Sequence, residues 1–442
     1  MSRDRIIYQS ESLFTSKPFS EGTNIDSSAI KEVNRVQEIS YNFEVTRTDI
    51  NEFGQLAALS REVTESPTVA LDFSYYLTDG TSEKSIGLNV NDLTDIADSA
   101  ALIADRDNWK PLTASMLDPK IETGQDHGAN ADELNYYIVT APEGNDVHKS
   151  GEADANLNTS GHGLIGIGNG FISSYGINAA VGELATANVS VEGSNISFEP
   201  SLATTVDNMA IDKNSAVGAT INNTISFDGV ASNTGPTVTA LRPGDIAIDF
   251  DAKGWFDDKS AGGLNVGGPL LPGQEPTASG TAIHVQSVSL ELPVSRSPLN
   301  RLGSHFPFAR KTDFPVNMTL SVSALATDLV KGSLDTLICG DEAPRDIAII
   351  MQGRCGEGSA PLVILMRNAL LDSESFSSSI GDNKTVDLTF SSQLGGANDS
   401  DNGIFFLSNV AKNATPALSA EATAPATTQA PATTQAPTTT TQ

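Results

Sequence analysis

Residues 36–79 read VQEISYNFEVTRTDINEFGQLAALSREVTESPTVALDFSYYLTD, and residues 285–328 read VQSVSLELPVSRSPLNRLGSHFPFARKTDFPVNMTLSVSALATD. Laid over each other without a gap, 249 positions apart, the two stretches share twelve residues of forty-four. Among the shared pairs are Gln37/Gln286, Ser40/Ser289, Arg47/Arg296, Asn51/Asn300, Gly54/Gly303, Arg61/Arg310 and Ser74/Ser323. A repeat of this length marks a duplicated domain. In the first copy Ile39, Tyr41, Phe43 and Val45 alternate with Glu38, Ser40, Asn42 and Glu44, and Val69, Leu71, Phe73, Tyr75 and Leu77 alternate with Ala70, Asp72, Ser74 and Tyr76. A period of two predicts half-buried strands. The second copy keeps the pattern, with Val288, Leu290, Leu292 and Val294 set against Ser287, Ser289 and Glu291, and Val316, Met318, Leu320 and Val322 against Asn317, Thr319, Ser321 and Ser323. Each copy therefore reads as a long antiparallel hairpin with one apolar and one polar face.

The two hairpins are closed by loops of about twenty residues, 47–67 and 296–315, well beyond the usual two to five. Loops that long predict a functional segment ordered by a neighbour. A weaker repeat lies downstream, where 164–191 matches 363–390 and shares Asn169/Asn368, Ser174/Ser373, Gly182/Gly381 and Thr186/Thr385. It reads as strand, glycine-centred turn, strand. Between the hairpins, spacings of three and four predict a helix over 92–105 (Leu93, Ile96, Ala100, Ile103) and another over 329–338, capped by Gly340. The fold class is thus mainly β with one short helix per repeat, in two tandem β-sandwich or barrel domains. The expected division is an N-terminal arm (1–35), a first domain (36–200), a connecting segment (201–241), a second domain (242–412) and a Thr/Ala/Pro/Gln-rich tail (413–442). The tail repeats ATTQAP and holds too little apolar surface to bury a core.

At 442 residues the chain has room for two such cores. The start MSRDRIIYQS lacks the apolar run of a signal peptide, and no apolar stretch is long enough to cross a bilayer, so a soluble protein without membrane insertion is expected. Cys339 and Cys355 read as buried free thiols rather than a disulfide scaffold. The formal charge of −29 argues against holding phosphates, since affinity for nucleic acid comes mainly from lysine and arginine; taken alone it signals solubility.

Chemical motifs are weak. Gly161, Gly163 and Gly166 match GxGxxG but lack the strand before and helix after, and read as turn glycines. Asp249, Asp251 and Gly254 open like a calcium loop, yet Lys253 and Ser260 stand at ligand positions. His127, His148 and His162, near Asp126, Asp146, Glu152 and Asp154, fit no metal spacing and read as solvated loop histidines. No catalytic residue, metal site or cofactor is assigned, and an enzyme is not expected.

The double hairpin, the long first loop, and the phrases VQEISYNFEVTRTD, GFISSYGINAAVGELATANVSVEG, ALRPGDIAIDF and LNRLGSHFPFARKTDFPV resemble the tail tube (major tail) proteins of long-tailed bacteriophages, in a tandem-domain form. The resemblance covers about 30–200 and 242–410. It implies a virion tail protein, assembled in the host cytoplasm, whose hairpins join a multi-subunit inner β-barrel. Self-association would give homotrimeric rings of pseudo-six-fold symmetry stacked into a tube. A tape measure protein would lie inside, with sheath or terminator proteins outside or at the ends, and DNA would pass without specific binding. On that reading Glu38, Ser40, Asn42, Glu44, Asp72, Ser74, Ser289, Glu291 and Asp387 face the lumen. Arg47, Asn51, Gly54, Arg61, Arg296, Asn300, Gly303 and Arg310 make ring-to-ring contacts. Pro293, where the first copy has Glu44, requires an unpaired edge or a bulge, and the tail has no counterpart in the family. The competing class is a secreted bacterial surface or adhesin protein of β-sandwich domains with a Thr/Pro stalk; a carbohydrate-active β enzyme lacks clustered aromatics and a carboxylate pair.

Overall fold

The computed structural model describes residues 11–18, 24–92, 109–117, 132–143, 145–147, 161–213, 215, 218–227, 230, 240–241, 246–249, 284–325, 344–351, 362–377 and 385–408. The first copy contributes β1 (Glu11–Ser16), β2 (Asn24–Ile25), β3 (Lys31–Val33), β4 (Val36–Glu44), β5 (Arg47–Ile50), β6 (Ser60–Val63), β7 (Thr68–Tyr76) and β8 (Val90–Asp92). It continues with β9 (Leu134–Thr140), β10 (Gly163–Ala180), β11 (Thr186–Gly193) and β12 (Asn195–Glu199), and β13 (Thr205–Asp207) and β14 (Thr224–Ser226) follow. The second copy contributes β15 (Ile246–Asp249), β16 (His284–Pro293), β17 (Arg296–Leu299), β18 (Ala309–Thr312) and β19 (Asn317–Leu325). It ends with β20 (Arg345–Met351), β21 (Leu362–Ser377), β22 (Thr385–Gln393) and β23 (Gly403–Ser408). The fold is mainly β, and the α-helices among the described residues are short, Thr81–Ser85 and Ala114–Leu117.

Eight strands form one antiparallel sheet in the order β4-β7-β11-β10-β16-β19-β22-β21. Four come from each copy, and the copies join where β10 pairs β16, from Ser174↔Pro293 to Ala180↔Ser287. The two repeats therefore share one sheet. The copies also agree in register. Gln37 and Gln286, identical in sequence, are the residues skipped where the β4–β7 and β16–β19 ladders shift. Ser173 and Asp372 are skipped in the β10–β11 and β21–β22 ladders. Asn169 and Asn368 both take the left-handed backbone that asparagine tolerates, with φ of 55° and 56°.

At these bulges β10 and β21 bend, as bulges make strands do, and pass from the eight-stranded sheet into a second layer. That layer is β3-β1-β9-β10-β12 in the first copy and β15-β20-β21-β23-β8 in the second. The alternating apolar residues, among them Leu71, Phe73, Val189, Leu290, Leu320 and Phe390, fill the space between layers. The short β8 belongs to the first copy by sequence but pairs in parallel with β23 of the second, Phe406↔Val90. Asn91 Nδ2 donates to the Phe406 carbonyl at 3.1 Å and Leu112 N to the Ile404 carbonyl at 2.7 Å.

Two expectations need correction. The N-terminal arm is no arm from residue 11 onward: β1 lies between β3 and β9, and Leu13 and Phe14 are fully buried. The connecting segment carries its own core, in which Leu202, Val206, Ile225 and Phe227 pack with Phe14, Ile25 and Tyr137. Its strands β13 and β14 add to β2 as a three-stranded sheet, so apolar residues spaced too sparsely for periodicity still find one another in space. The helix expected over 92–105 begins on a residue that ends β8; its remaining residues, the helix over 329–338, Gly340 and the tail lie outside the described residues. Pro293 is the last residue of β16, past the ladder to β19, which ends at Glu291↔Thr319. There its missing N–H deprives no partner.

Candidate functional site

The polar face of the eight-stranded sheet gathers the residues that the resemblance would turn to a lumen. Ser74 lies opposite Glu38 and Asn188, and Asp72 opposite Ser40 and Ser190. Ser289 lies opposite Asn178 and Ser321, and its hydroxyl donates to Asn178 Oδ1 at 2.7 Å. Asp387 faces Ser323 and Ser375. Asn42, Glu44 and Glu291 are exposed on the same face. Between the copies the face forms a trough of about 400 Å³ lined by Asn178, Thr186, Ser289, Ser321, Asp387 and neighbours. No lysine or arginine occurs in β4, β7, β11, β16, β19 or β22, nor in the parts of β10 and β21 that join this sheet. All formal charge on this face is therefore negative.

The long loops are hairpins themselves, β5–β6 and β17–β18, in matched register: Arg47↔Val63 and Arg296↔Thr312. Their arginines meet different surroundings. Arg296 is buried against the first copy, with Nη2 2.5 Å from Asp132 Oδ2, Nε donating to the Ile172 carbonyl at 3.4 Å and the guanidinium 5.1 Å from the Phe171 ring centre. The Arg296–Asp132 approach lacks the alignment of a hydrogen bond and acts as an ion pair. Burial pushes the Asp132 carboxyl above its ordinary range, and Arg296 pulls it back. Arg310 is also buried, with Nη1 2.5 Å from Glu192 Oε2, and Arg301 donates to the Lys213 carbonyl at 2.7 Å. In the first copy Arg47 is exposed, and Arg61 pairs at 2.6 Å with Asp49 on its own hairpin. Asn51, Gly54, Asn300 and Gly303 sit at the exposed tips. Both glycines take positive φ, +94° and +85°, which keeps the two tips alike. Phe53 and Leu56 on one tip and Leu302 on the other are fully exposed.

Two buried polar clusters had no sequence signal. Glu83, on the helix Thr81–Ser85, accepts hydrogen bonds from Tyr75 (2.9 Å) and Tyr175 (3.1 Å) beneath the sheet. Burial raises its carboxyl pKa above the ordinary 4.5, against the pull of those bonds, and drives both phenols well above theirs. A carboxyl raised on folding binds its proton more tightly folded than unfolded. Its charge therefore costs stability as pH climbs from about 4.5 through the raised value. Glu83→Gln keeps an acceptor for both tyrosines and is expected to melt at or above the parent at pH 7, with the parent closing the gap at pH 5; a gap independent of pH would exclude this origin. In the second cluster Glu133 holds Lys213 at 2.5 Å and accepts from Asn169 Nδ2 at 2.6 Å, both residues buried. It ties the connecting segment to β10.

The remaining candidates fall away as sites. His162 is buried, with Nε2 3.3 Å from the Asp146 carbonyl, and is not the solvated histidine expected. Gly161 is in a turn, but Gly163 and Gly166 lie in β10, where a Cβ at 166 would run into Met209. Asp249 ends β15; Asp251, Lys253, Gly254, Ser260, Asp126, His127, His148, Glu152, Asp154, Cys339 and Cys355 lie outside the described residues. Among the described residues no helix is long and apolar enough to cross a membrane.

No model of a known protein family matches the sequence, and no curated protein matches it. Among solved structures the chain is similar to the SPP1 tail tube determined by solid-state NMR and cryo EM, at 10% identity over 45% of this chain and 82% of that one, with a TM-score of 0.24. It is similar to a chain of the virion of a native gene transfer agent particle, at 12% identity over 38% and 98%, TM-score 0.20. A third is a chain from the tail of an empty gene transfer agent particle with C6 symmetry, at 13% identity over 36% and 96%, TM-score 0.20. Likenesses this slight decide neither fold nor function.

Proposed function

We propose that the chain is a structural protein that polymerises with itself into a hollow tube, the tail tube of a virion, serving as a conduit for DNA. The observation that carries this is the eight-stranded sheet, whose one face is polar and only negatively charged and whose outer strands, β4 and the 370–377 part of β21, pair with no further strand among the described residues. A sheet open at both ends adds strands or closes, and closure on copies of itself removes every edge. Three chains would supply twenty-four strands, in a ring with pseudo-six-fold symmetry because each chain holds two like units. The wall of Glu38, Glu44, Asp72, Glu291 and Asp387 faces the lumen and repels phosphates, so DNA slides without binding. The exposed tips at Asn51–Gly54 and Asn300–Gly303, with Phe53, Leu56 and Leu302, are the ring-to-ring contacts. Arg296 and Arg310 act between the repeats of one chain instead. A tape measure protein inside and sheath or terminator proteins outside are the partners this role calls for.

Negative-stain microscopy of the purified chain tests the reading: hollow tubes or rings support it, and monomers at every concentration and ionic strength exclude it. The wall has its own test. Asp72→Lys with Asp387→Lys, both exposed, is expected to leave melting within about 0.5 kcal/mol of the parent. Tubes of the double variant should retain DNA at low salt and release it as salt rises; equal DNA retention by parent and variant would remove the acidic wall from the function.

A further inference from the structure

The internal junction shows what each open edge lacks. Tyr41 and Phe43 on β4 and Phe198 on β12 are 40%, 59% and 55% exposed, whereas Leu290, Leu292 and Phe406, at the same positions of the second copy, are at most 1% exposed. At the opposite edge Leu370 and Phe376 on β21 are each 51% exposed, whereas Phe171 and Ile177, their first-copy equivalents on β10, are at 1%. Leu290, Leu292 and Ile177, the equivalents of Tyr41, Phe43 and Phe376, are paired across the β10–β16 junction. Apolar residues exposed in one copy whose equivalents the junction buries in the other mark a surface made for another copy of the same unit.

We infer, building on the self-association proposed above, that each chain-to-chain seam reproduces the internal junction strand for strand. β21 of one chain pairs antiparallel with β4 of the next. Translating the β10–β16 register by the two repeat offsets sets Ser373 opposite Glu44, Ser375 opposite Asn42, Phe376 opposite Tyr41 and Ser377 opposite Ser40 of the neighbouring copy. The β5–β6 hairpin of that neighbour then lies on β21 as β17–β18 lies on β10. Arg296 reaches the Ile172 carbonyl beside the bulged Ser173, and the residue equivalent to Ser173 is Asp372, an exposed acid. Arg47 of the neighbour thus meets Asp372, which takes the part Asp132 plays inside the chain.

The internal hydrogen bonds also fix the pairing type. Val294 N donates to the Ser173 carbonyl at 2.8 Å and Val181 N to the Gln286 carbonyl at 2.9 Å. The hydrogen-bonded pairs therefore fall on odd positions of β10, and Asn178/Ser289 is a non-hydrogen-bonded pair. Its seam equivalent is Ser377/Ser40, where the Cα atoms stand about 4.5 Å apart, within reach of a disulfide.

The full chain carrying Ser40→Cys and Ser377→Cys, both exposed, is oxidised after assembly and run without reductant beside the untreated-sequence parent, which controls for Cys339 and Cys355. Reducible dimers and trimers absent from the parent are expected. Ser40→Cys with Ser373→Cys should give none, its sulfurs lying about 13 Å apart along the strand. Tubes or rings visible by microscopy that cross-link through 40/373, or through neither pair, overturn this seam and leave the tube reading standing. Monomers throughout, by microscopy and by mass in solution, overturn both.

Discussion

Arg296→Glu is expected to destabilise the folded chain by about 3–5 kcal/mol, the cost of leaving one partner of a buried ion pair unmatched. The guanidinium is almost fully buried, faces Asp132 at 2.5 Å and lies over the Phe171 ring, so its replacement puts a second carboxylate beside one whose pKa burial has already raised. One of the two must then take up a proton, and the Ile172 carbonyl loses its donor. Arg47→Glu changes the same letter at the same place in the repeat, but on an exposed hairpin, and is expected to move unfolding by no more than about 0.5 kcal/mol. Urea titration of the two variants, read at low protein concentration so that assembly does not contribute, checks the difference. Equal stability losses would mean that the β17–β18 hairpin does not hold to the first copy through this pair.

That contrast also shows what the sequence could carry. The strands of the two hairpins were legible because alternate burial writes a period of two into the side chains, and the polar face that carries Glu38, Asp72, Ser289 and Asp387 followed from that period. The matched bulges at Gln37 and Gln286 were visible as identities, without their meaning. The junction of β10 with β16 was not legible: it joins Ser174 to Pro293, and long-range pairing of two already amphipathic strands leaves no local mark. Arg47 and Arg296 are identical letters whose roles diverge only because one copy has a neighbour in the chain. Leu13 and Phe14 sit in too short a run for a periodicity, though they are fully buried. Glu83 stands among polar residues, and only the two tyrosines arriving from β7 and β10 make it a core residue.

The same comparison yields the largest expected effect on assembly. In the proposed ring each seam contains Arg47 of one chain against Asp372 of the next, closed over by Leu370, Phe376, Tyr41 and Phe43, which removes most of the water that would screen an exposed pair. Removing one partner of such a pair costs about 2 kcal/mol or more. A ring of three chains has three seams, so Arg47→Glu is expected to weaken ring closure by about 6 kcal/mol, a factor of about twenty thousand in the equilibrium. The variant should stay folded and monomeric at concentrations where the parent is fully assembled, as measured by analytical ultracentrifugation. Asp372→Arg alone should do the same, since it sets two arginines face to face. Combining Arg47→Glu with Asp372→Arg restores an opposite-charge pair and is expected to recover most of the assembly. Recovery is the decisive reading, because two changes that merely damaged the surface would add, and a double variant as monomeric as either single one would show that Arg47 and Asp372 do not meet.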